Sequence, residues 1–219
     1  MKITFISIFP EYFEGFKNHS IIKQAIIKKK IIIEVINQRD FAKKGIVDDT
    51  VYGGGPGMLL LIEPLVKALE FVKEKDSKVF LLSPRGVIHN QENAKTLIHF
   101  KHIIFICGHY EGVDARIKNY IDGEISIGEF ILTGGEQAAM VVADSLIRLI
   151  PGVIKKDSHE NESFENNLIE CDQFSKPIDF EGHKVPEVLL SGNHQKINKW
   201  RKQNAIDNTI ELIQKKKGK

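Results

Sequence analysis

Short apolar runs alternate with stretches of helical periodicity along most of this 219-residue chain. Five apolar runs predict strands, at residues 2–9, 31–36, 79–82, 103–107 and 125–127. Most of these runs lack apolar–polar alternation, which is typical of strands buried on both faces of a sheet. Between them, helices are predicted at residues 13–29, 64–72, 90–100 and 113–121. The order of elements indicates an α/β fold, with a mostly parallel sheet and helices on both faces.

The longest apolar stretch covers residues 126–152 and has three parts. Ser126 to Leu132 is short and interrupted by glycine, and the following Thr133-Gly134-Gly135 predicts a tight turn. A helix is predicted from Glu136 to Ile150, where the Pro-Gly pair at residues 151–152 stops it. A turn without side chains at a helix N-terminus lets a ligand lie against backbone N–H groups, and helix N-termini favour negative charge.

Two further glycine turns, SPRG at residues 83–86 and CGHYEG at residues 107–112, each follow a predicted strand. The carboxyl ends of parallel strands lie along one edge of a sheet, so all three turns can converge on one pocket. The alternative is three ordinary turns of the kind found in every α/β protein. None of them matches the dinucleotide-binding or P-loop fingerprint. A nucleotide-like ligand without a triphosphate therefore suits these turns best.

Two segments of the chain predict irregular structure. Residues 47–58, VDDTVYGGGPGM, contain four glycines and a proline. Residues 155–180 contain few apolar side chains and no periodic pattern, which is typical of a lid or a binding loop. The chain is therefore predicted to have a ligand-binding domain at residues 1–154, a flexible linker or lid at 155–180, and a small C-terminal helical domain at 181–219.

The last part of the chain carries a predicted helix at residues 195–214, in which basic side chains flank Trp200. Basic residues around an aromatic side chain suit an RNA backbone with a stacking surface. Alternatively, Trp200 anchors the core of a small helical domain. The basic end at residues 196–219, on a chain of net charge +2, suggests a polyanionic partner or, equally, a solvated tail.

Composition narrows the class of protein further. A hydrophobic content of 42% supports a sizeable core. Two distant cysteines, Cys107 and Cys171, fit a reduced cytoplasmic protein, not a disulfide scaffold or a zinc site. The eight histidines show no metal-ligand spacing. The N-terminus is predicted to be a strand, not a signal peptide, and no stretch is long enough to span a membrane.

Five strings resemble, in order and spacing, the bacterial tRNA (guanine-N1)-methyltransferase family of the SPOUT class: YGGGPGM, LLSPRG, CGHYEGVDAR, SIGEFILTGGE and IPGVI. The resemblance covers residues 1 to 210, nearly the whole chain. It implies a homodimer whose cofactor-binding part contains a deep trefoil knot. It implies methylation, by S-adenosylmethionine, of N1 of the guanosine 3′-adjacent to the anticodon in a tRNA anticodon stem-loop. The family also requires Mg²⁺, although no dense carboxylate cluster in this sequence marks a metal site.

The resemblance assigns cofactor binding to residues of the three glycine turns. These are Leu82, Ser83, Pro84 and Gly86; Gly108, Tyr110, Glu111 and Gly112; and Ile127, Gly128, Glu129, Phe130, Ile131, Leu132, Gly134 and Gly135. The assignment agrees with the chemistry, because adenine needs backbone donors and acceptors between apolar walls and glycines allow close approach. Tyr110 and Glu111 are able to meet a sugar or a sulfonium. The alternative for Tyr110 is a half-buried core tyrosine with a satisfied hydroxyl.

The resemblance also assigns two catalytic residues. Guanine N1 must lose a proton before it attacks, and the negative charge that then develops on the ring needs a fixed cation. In the family, an aspartate before a Ser-Phe pair is the base, and an arginine late in the helix after TGGE is the cation. Glu162 and Arg148 occupy these positions. From the residues alone, Arg148 is equally an i,i+4 partner of Asp144, and Glu162 is one more charge in an acidic loop.

The sequence departs from the family pattern around Glu162. The loop between Pro151 and Ser163 is one residue shorter than the pattern, and SFENNLIECDQFSKP differs from the usual string at several positions. Glu160 is a substitute base if the short loop shifts. The departures leave two rival interpretations: a catalytically impaired RNA-binding protein on the same fold, or an unrelated nucleotide-binding enzyme.

Overall fold

The computed structural model of the chain describes residues 1–154, 162–164 and 167–217. The chain divides into two compact units, Met1–Ile154 and Lys155–Lys219. The strands of the first unit are β1 (Lys2–Ser7), β2 (Ile32–Asn37), β3 (Asp48–Thr50), β4 (Met58–Leu60), β5 (Ser77–Ile88), β6 (His102–Cys107) and β7 (Gly123–Ser126). Its α-helices are α1 (Tyr12–Asn18), α2 (Ser20–Ile27), α3 (Ile62–Val72), α4 (Gln91–Leu97) and α5 (Glu136–Ile147). Short 3₁₀ helices cover Gln38–Phe41, Lys43–Gly45 and Ala115–Asn119.

Five strands of the first unit form one sheet in the order β2–β1–β6–β5–β7, and every neighbouring pair is parallel. Alternate side chains of a strand point to opposite faces of the sheet. Phe5 and Phe105 accordingly pack with residues of α1, α2, α4 and α5, whereas Ile6 and Ile106 pack with residues of α3. The predicted α/β architecture with helices on both faces is confirmed. Strand β2 is not fully buried as predicted, because it lies at the edge of the sheet and leaves Ile32 exposed.

The predicted turn at residues 83–86 is wrong, because β5 continues through it to Ile88. Ile125 of β7 is the register partner of both Leu82 and Val87, so the residues between these two bulge out of the strand. Pro84 has no N–H to donate to a neighbouring strand, which favours a bulge at this point. The segment is therefore an excursion within one long strand.

The glycine-rich segment at residues 47–58 is also more regular than predicted. Its ends pair as an antiparallel hairpin of β3 and β4, with Asp48 opposite Leu60 and Thr50 opposite Met58. Gly53, Gly54, Gly55 and Gly57, all at positive φ, form the tip. The glycines thus shape the loop between two short strands, a pairing that no alternation in this segment signals.

The predicted helices are present with changed bounds. The helix predicted at residues 13–29 is two helices, because His19 between them is extended. The helix predicted at 113–121 is a short 3₁₀ turn, which begins after Asp114. Helix α5 ends at Ile147 instead of Ile150. The predicted cap of α4 is confirmed, since the Asn90 side chain accepts a hydrogen bond from the Asn93 N–H.

In the described part of the second unit, a two-stranded hairpin is followed by two α-helices. Strand β8 (Asp179–Phe180) pairs antiparallel with β9 (His183–Lys184), and α6 (Glu187–Leu190) precedes the long α7 (His194–Lys217). The predicted C-terminal helix is confirmed and is longer than predicted. Within the described ranges, none of the helices is long and apolar enough to cross a membrane.

Candidate active site

The three glycine segments lie together at the carboxyl edge of the sheet. Leu82 of β5 is the register partner of Cys107, the last residue of β6. The N–H of Gly135 donates to the carbonyl oxygen of Gly108 at 2.8 Å, which joins the second segment to the third. The N–H of His89, directly after β5, donates to the Ser126 carbonyl at 2.8 Å, which joins the first segment to the third. These contacts bring the three segments to the same edge of the sheet, and their convergence on one pocket stays a prediction.

At three of the predicted cofactor-binding positions, an added Cβ would overlap neighbouring atoms, so only glycine fits. A Cβ on Gly135 would lie 2.9 Å from the Cys107 Cα and from the Gly108 N. A Cβ on Gly86 would collide with the backbone of Glu124 and Ile125. A Cβ on Gly134 would collide with the Glu136 carboxylate and lie 2.5 Å from the His109 Nδ1. The backbones of these segments are therefore packed against one another more closely than any side chain permits.

The third segment presents apolar side chains to the surface. Phe130, Ile131 and Leu132 are exposed although they are large and hydrophobic. Tyr110 of the second segment is also exposed and adopts positive φ, so it is not the half-buried core tyrosine of the alternative interpretation. Exposed apolar side chains beside closely packed backbone form a wall that suits a flat heterocycle.

The β3–β4 hairpin adds a wall that the sequence analysis did not assign to the site. The N–H of Glu111 donates to the Met58 carbonyl, and the N–H of Leu60 donates to the Gly112 carbonyl, both at 3.0 Å. A Cβ on Gly57 would lie 2.5 Å from the Glu111 Oε1, so the glutamate side chain lies against the hairpin. Tyr52 at the tip of the hairpin is fully exposed. In the sequence, this wall is indicated by the glycine-rich string YGGGPGM at residues 52–58.

A buried carboxylate lies beneath the second and third segments. Glu136, in the first turn of α5, is only 1% exposed. Its Oε1 accepts a hydrogen bond from the Ser7 hydroxyl at 2.7 Å, and its Oε2 lies 4.0 Å from the His109 Nδ1. The His109 Nδ1 is buried and has no hydrogen-bond partner in the described part of the chain. Burial, with a smaller contribution from Glu136, raises the pKa of the Cys107 thiol well above its usual range, so Cys107 is not a nucleophile here.

Sequence reasoning missed Glu136, because a glutamate in the first turn of a helix is normally an exposed partner of the helix dipole. Here the helix begins inside the packed glycine segments, and the carboxylate is carried inward with them. The helix N-terminus and the Ser7 hydroxyl stabilise its charge.

Arg148 lies at the other end of α5 from the glycine segments. It is half-buried, and its N–H donates to the Asp144 carbonyl at 3.1 Å. At the standard rise, the twelve residues from Glu136 to Arg148 separate the two ends by about 18 Å. Arg148 is therefore about 18 Å along α5 from Glu136 and the turn at Gly134-Gly135.

Glu162 belongs to the second unit and precedes residues that hydrogen bonds hold in place. The hydroxyl of the next residue, Ser163, accepts a hydrogen bond from the Glu170 N–H at 3.2 Å. The N–H of Phe164 donates to the Leu168 carbonyl at 2.7 Å. Glu160, the substitute base, lies outside the described residues.

Helix α7 holds the chain that follows this loop. Thr209 Oγ1 accepts from the Ile169 N–H at 2.9 Å, and Asn204 Oδ1 accepts from the Asp172 N–H at 2.7 Å. Asn208 Nδ2 donates to the Glu170 carbonyl at 3.0 Å. Residues 169–172 therefore run along α7, fixed by its polar side chains.

Trp200 is half-buried, with its ring centroid 6.3 Å from that of Phe174. This contact supports the interpretation of Trp200 as an anchor of the small second unit. It joins α7 to the same segment that Asn204, Asn208 and Thr209 hold.

The described residues include no group of three or more His, Cys, Asp or Glu side chains that could hold a metal ion. The dense carboxylate cluster that would mark a Mg²⁺ site is therefore not found among the described side chains.

Comparison with known proteins identifies the family. The family model of tRNA (Guanine-1)-methyltransferase TrmD matches residues 1–215. The tRNA (guanine-N(1)-)-methyltransferase of Malacoplasma penetrans (strain HF-2) is 56% identical over 211 residues, covering 95% of this chain and 93% of that protein. The protein of the same name from Mycoplasmopsis pulmonis (strain UAB CTIP) is 54% identical, with 95% and 93% covered. That of Metamycoplasma arthritidis (strain 158L3-1) is 50% identical, with 100% and 98% covered. With a family match over nearly its whole length and relatives at half identity or more, the chain belongs to the tRNA (guanine-1)-methyltransferase family.

Proposed function

We propose that the protein transfers a methyl group from S-adenosylmethionine to N1 of the guanosine 3′-adjacent to the anticodon of tRNA. The observation that carries this proposal is the convergence of three glycine segments on one edge of the sheet, in a chain that matches the family over residues 1–215. Membership of the family supports the reaction, and the proximity of the three segments supports a cofactor site at this edge of the sheet.

The cofactor site proposed is the cradle formed by residues 82–86, 108–112 and 127–135. Close packing around Gly134 and Gly135 supports this, because it fixes the backbone of the second and third segments, whose N–H and C=O groups can then face a nucleoside in a defined geometry. The backbone groups would hold adenine, the exposed side chains of Phe130 and Ile131 would cover it, and Tyr110 and Glu111 would face the sugar or the sulfonium. S-adenosylmethionine, when bound, supplies an activated methyl group.

The protein groups proposed for the chemistry are Glu162 and Arg148. The Glu162 carboxylate would accept the N1 proton of guanine, a general-base role that typically contributes about 10²- to 10⁴-fold. The Arg148 guanidinium would stabilise the negative charge that develops on the guanine ring and its O6. The ties between Ser163, Glu170 and α7 support this assignment, because a base is effective only when it is held in place.

We further infer that the working form is a homodimer with the family's deep trefoil knot. The separation of about 18 Å between the ends of α5 supports a shared site, in which Arg148 of one copy serves the cradle of the other. The hydrogen bond between Gly135 and Gly108 shows how closely the chain returns on itself where the knot is expected. Because tRNA is the substrate, the cytoplasm is the expected location, and Mg²⁺ acts, if at all, without a dedicated site among the described residues.

The decisive experiment is a methyl-transfer assay on tRNA from a cell that lacks this modification. We expect incorporation of methyl groups at N1 of one guanosine in tRNAs with a guanosine at the preceding position. Isothermal titration with S-adenosylmethionine is the companion measurement. Absence of binding would remove the cofactor assignment altogether, whereas binding without transfer would favour a catalytically impaired RNA-binding protein, which the altered string around Glu162 motivates.

A further inference from the structure

A cavity of about 380 Å³ lies within the second unit, and its lining includes none of the residues assigned above to cofactor binding or catalysis. It is formed by the segment from Asp172 to Ile178, by Val185 directly after β9, by α6 and by the first turns of α7. Its lining includes Phe174, Lys176, Ile178, Val185, Leu190 and Arg201. A concavity of this volume is of the size that holds a compact organic ligand.

Apolar side chains of the lining are left open to solvent. Phe174, Ile178 and Leu190 are 47%, 57% and 51% exposed, although each is a large hydrophobic residue. Grouped exposure of this kind, rimmed by polar groups, marks a binding surface. The Phe174 ring is also held by Trp200, with ring centroids 6.3 Å apart, so it offers a fixed aromatic face.

The charged side chains of the lining favour an anion. Neither Arg201 nor Lys176 forms an ion pair with any carboxylate that the structure describes. The acidic residue of the lining, Asp172, is already engaged, because its carboxylate accepts hydrogen bonds from Asn204 at 3.2 Å and Asn208 at 3.1 Å. The Arg201 and Lys176 side chains, beside the apolar part of the cavity, suit a ligand that is flat and apolar at one end and anionic at the other.

We propose that this cavity receives one unpaired nucleotide of the RNA substrate, with its base against Phe174 and Leu190 and a flanking phosphate on Arg201 and Lys176. The inference rests on the proposed function, since it takes tRNA as the ligand. Single-stranded nucleotides are recognised in this way, by stacking on aromatic side chains and by contact with basic groups along the backbone. A base-paired stretch is too wide for a cavity of about 380 Å³.

The test is a double-mutant cycle, in which a change in the protein is combined with a change in the RNA and the binding affinity is measured. Full-length tRNA is assembled from synthetic fragments, with one unpaired nucleotide at a time replaced by an abasic residue. Each RNA is titrated against the wild-type protein and the Leu190→Ala variant. We expect Leu190→Ala to weaken binding of intact tRNA several-fold. We expect one abasic position to weaken wild-type binding by about 5- to 100-fold, the range for loss of a stacked base. With that RNA, Leu190→Ala should have no further effect.

One matched variant serves as a control, and a second variant tests the phosphate contact. Ile210→Ala removes an apolar side chain of α7 that is 49% exposed but does not line the cavity, and its effect should add to that of every abasic position. Arg201→Gln should lower the slope of log K against log salt concentration by about one, as expected for one lost phosphate contact. Unchanged far-ultraviolet circular dichroism and thermal unfolding of each variant establish that the second unit is folded.

The outcomes separate the inference from the proposed function. Suppose that wild-type protein binds and methylates tRNA, and that Leu190→Ala lowers the affinity further for every abasic RNA. The cavity then does not receive a nucleotide. If Leu190→Ala instead shifts the monomer–dimer equilibrium in sedimentation and leaves RNA affinity unchanged, the cavity is covered by a second copy of the chain and the inference is wrong. If wild-type protein neither binds nor methylates tRNA, the proposed function fails first.

Discussion

At the scale of single residues, the substitution Gly134→Val tests the proposed location of the cofactor site. The Cβ position of Gly134 is 2.5 Å from the His109 Nδ1, so a valine there must displace the second and third segments. Overpacking of this kind costs about 1–3 kcal/mol, and we expect S-adenosylmethionine binding in Gly134→Val to weaken at least tenfold. Isothermal titration measures it. The control is Gly15→Val in α1, where an added Cβ meets no atom within 4 Å, and normal affinity in Gly134→Val would refute the location of the pocket.

Glu162 tests the assignment of the base. Glu162→Gln keeps the volume of the side chain and removes its basicity, so single-turnover methyl transfer should fall by about two to four powers of ten. Affinity for S-adenosylmethionine should hold, because the glycine segments belong to the other unit. Glu162→Asp, which restores the family's residue, should keep substantial activity. A nearly active Glu162→Gln together with an inactive Glu160→Gln would transfer the role to Glu160.

His102 makes the stability of the first unit depend on pH. Its buried ring lies 2.9 Å from the Thr4 hydroxyl through Nε2 and 2.8 Å from the Ser77 hydroxyl through Nδ1. The Thr4 hydroxyl donates to Glu34, so it must accept from Nε2–H, and Ser77 then donates to Nδ1. This arrangement fits the neutral ring. Burial, helped by nearby Lys2, lowers the pKa of His102, although Glu74 and Glu34 oppose the shift.

The sign of the effect follows from the lowered pKa. The unfolded chain takes up a proton at His102 near pH 6.5, where the folded chain does not. The free energy of unfolding should therefore be level above this pH and decline as the pH falls below it. Urea titrations at pH 7.5 and 5.5 measure the decline, which should be smaller in His102→Gln. An equal decline in both proteins would assign the acid sensitivity to other groups, such as His89, whose pKa burial also lowers.

At the scale of elements, we expect the hydrogen bonds from α7 to Glu170 and Asp172 to hold the segment that carries the proposed base, Glu162. Asn208 donates to the Glu170 carbonyl and to the Asp172 carboxylate, and Glu170 is tied to Ser163. Loss of two hydrogen bonds costs about 1–3 kcal/mol, so Asn208→Ala should lower the rate of methyl transfer roughly 5- to 100-fold. Cofactor affinity should not change.

The matched control is Gln203→Ala on the same helix, because the hydrogen bond that the structure gives for the Gln203 amide is to Asp207 of its own helix, at 2.9 Å. Single-turnover rates at saturating tRNA separate positioning from binding. If Asn208→Ala raises only the tRNA concentration needed for half-maximal rate, α7 contributes affinity and not position.

The elements also show what a sequence alone can predict. The buried strands and the Asn90 cap were predictable, because continuous apolar runs and capping side chains act locally. The bulge in β5 was not, since it exists only where Ile125 pairs with both Leu82 and Val87. The inward carboxylate of Glu136 was equally hidden, because its partners Ser7 and His109 come from distant parts of the chain.

At the scale of the whole molecule, the position of Arg148 about 18 Å along α5 from the turn at Gly134-Gly135 motivates a test of whether two copies of the chain share the proposed site. If two chains share their sites symmetrically, the cradle of each is served by catalytic residues of the other. Gly134→Val and Glu162→Gln damage opposite halves of such a site. A heterodimer of the two would contain one site with both defects and one site with neither.

Mixing the two inactive variants should therefore restore activity. Random exchange makes half of the dimers mixed, so about a quarter of the sites should be intact, and methyl transfer should approach about a quarter of the wild-type rate. Differently tagged chains purified in tandem confirm that heterodimers form. A mixture of Gly134→Val with Gly135→Val, which damage the same half, should stay inactive because neither chain offers an intact cradle. Purified Gly134→Val/Glu162→Gln heterodimers without activity would mean that each chain completes its own site, with Arg148 reaching the cradle by a route other than a symmetric partner.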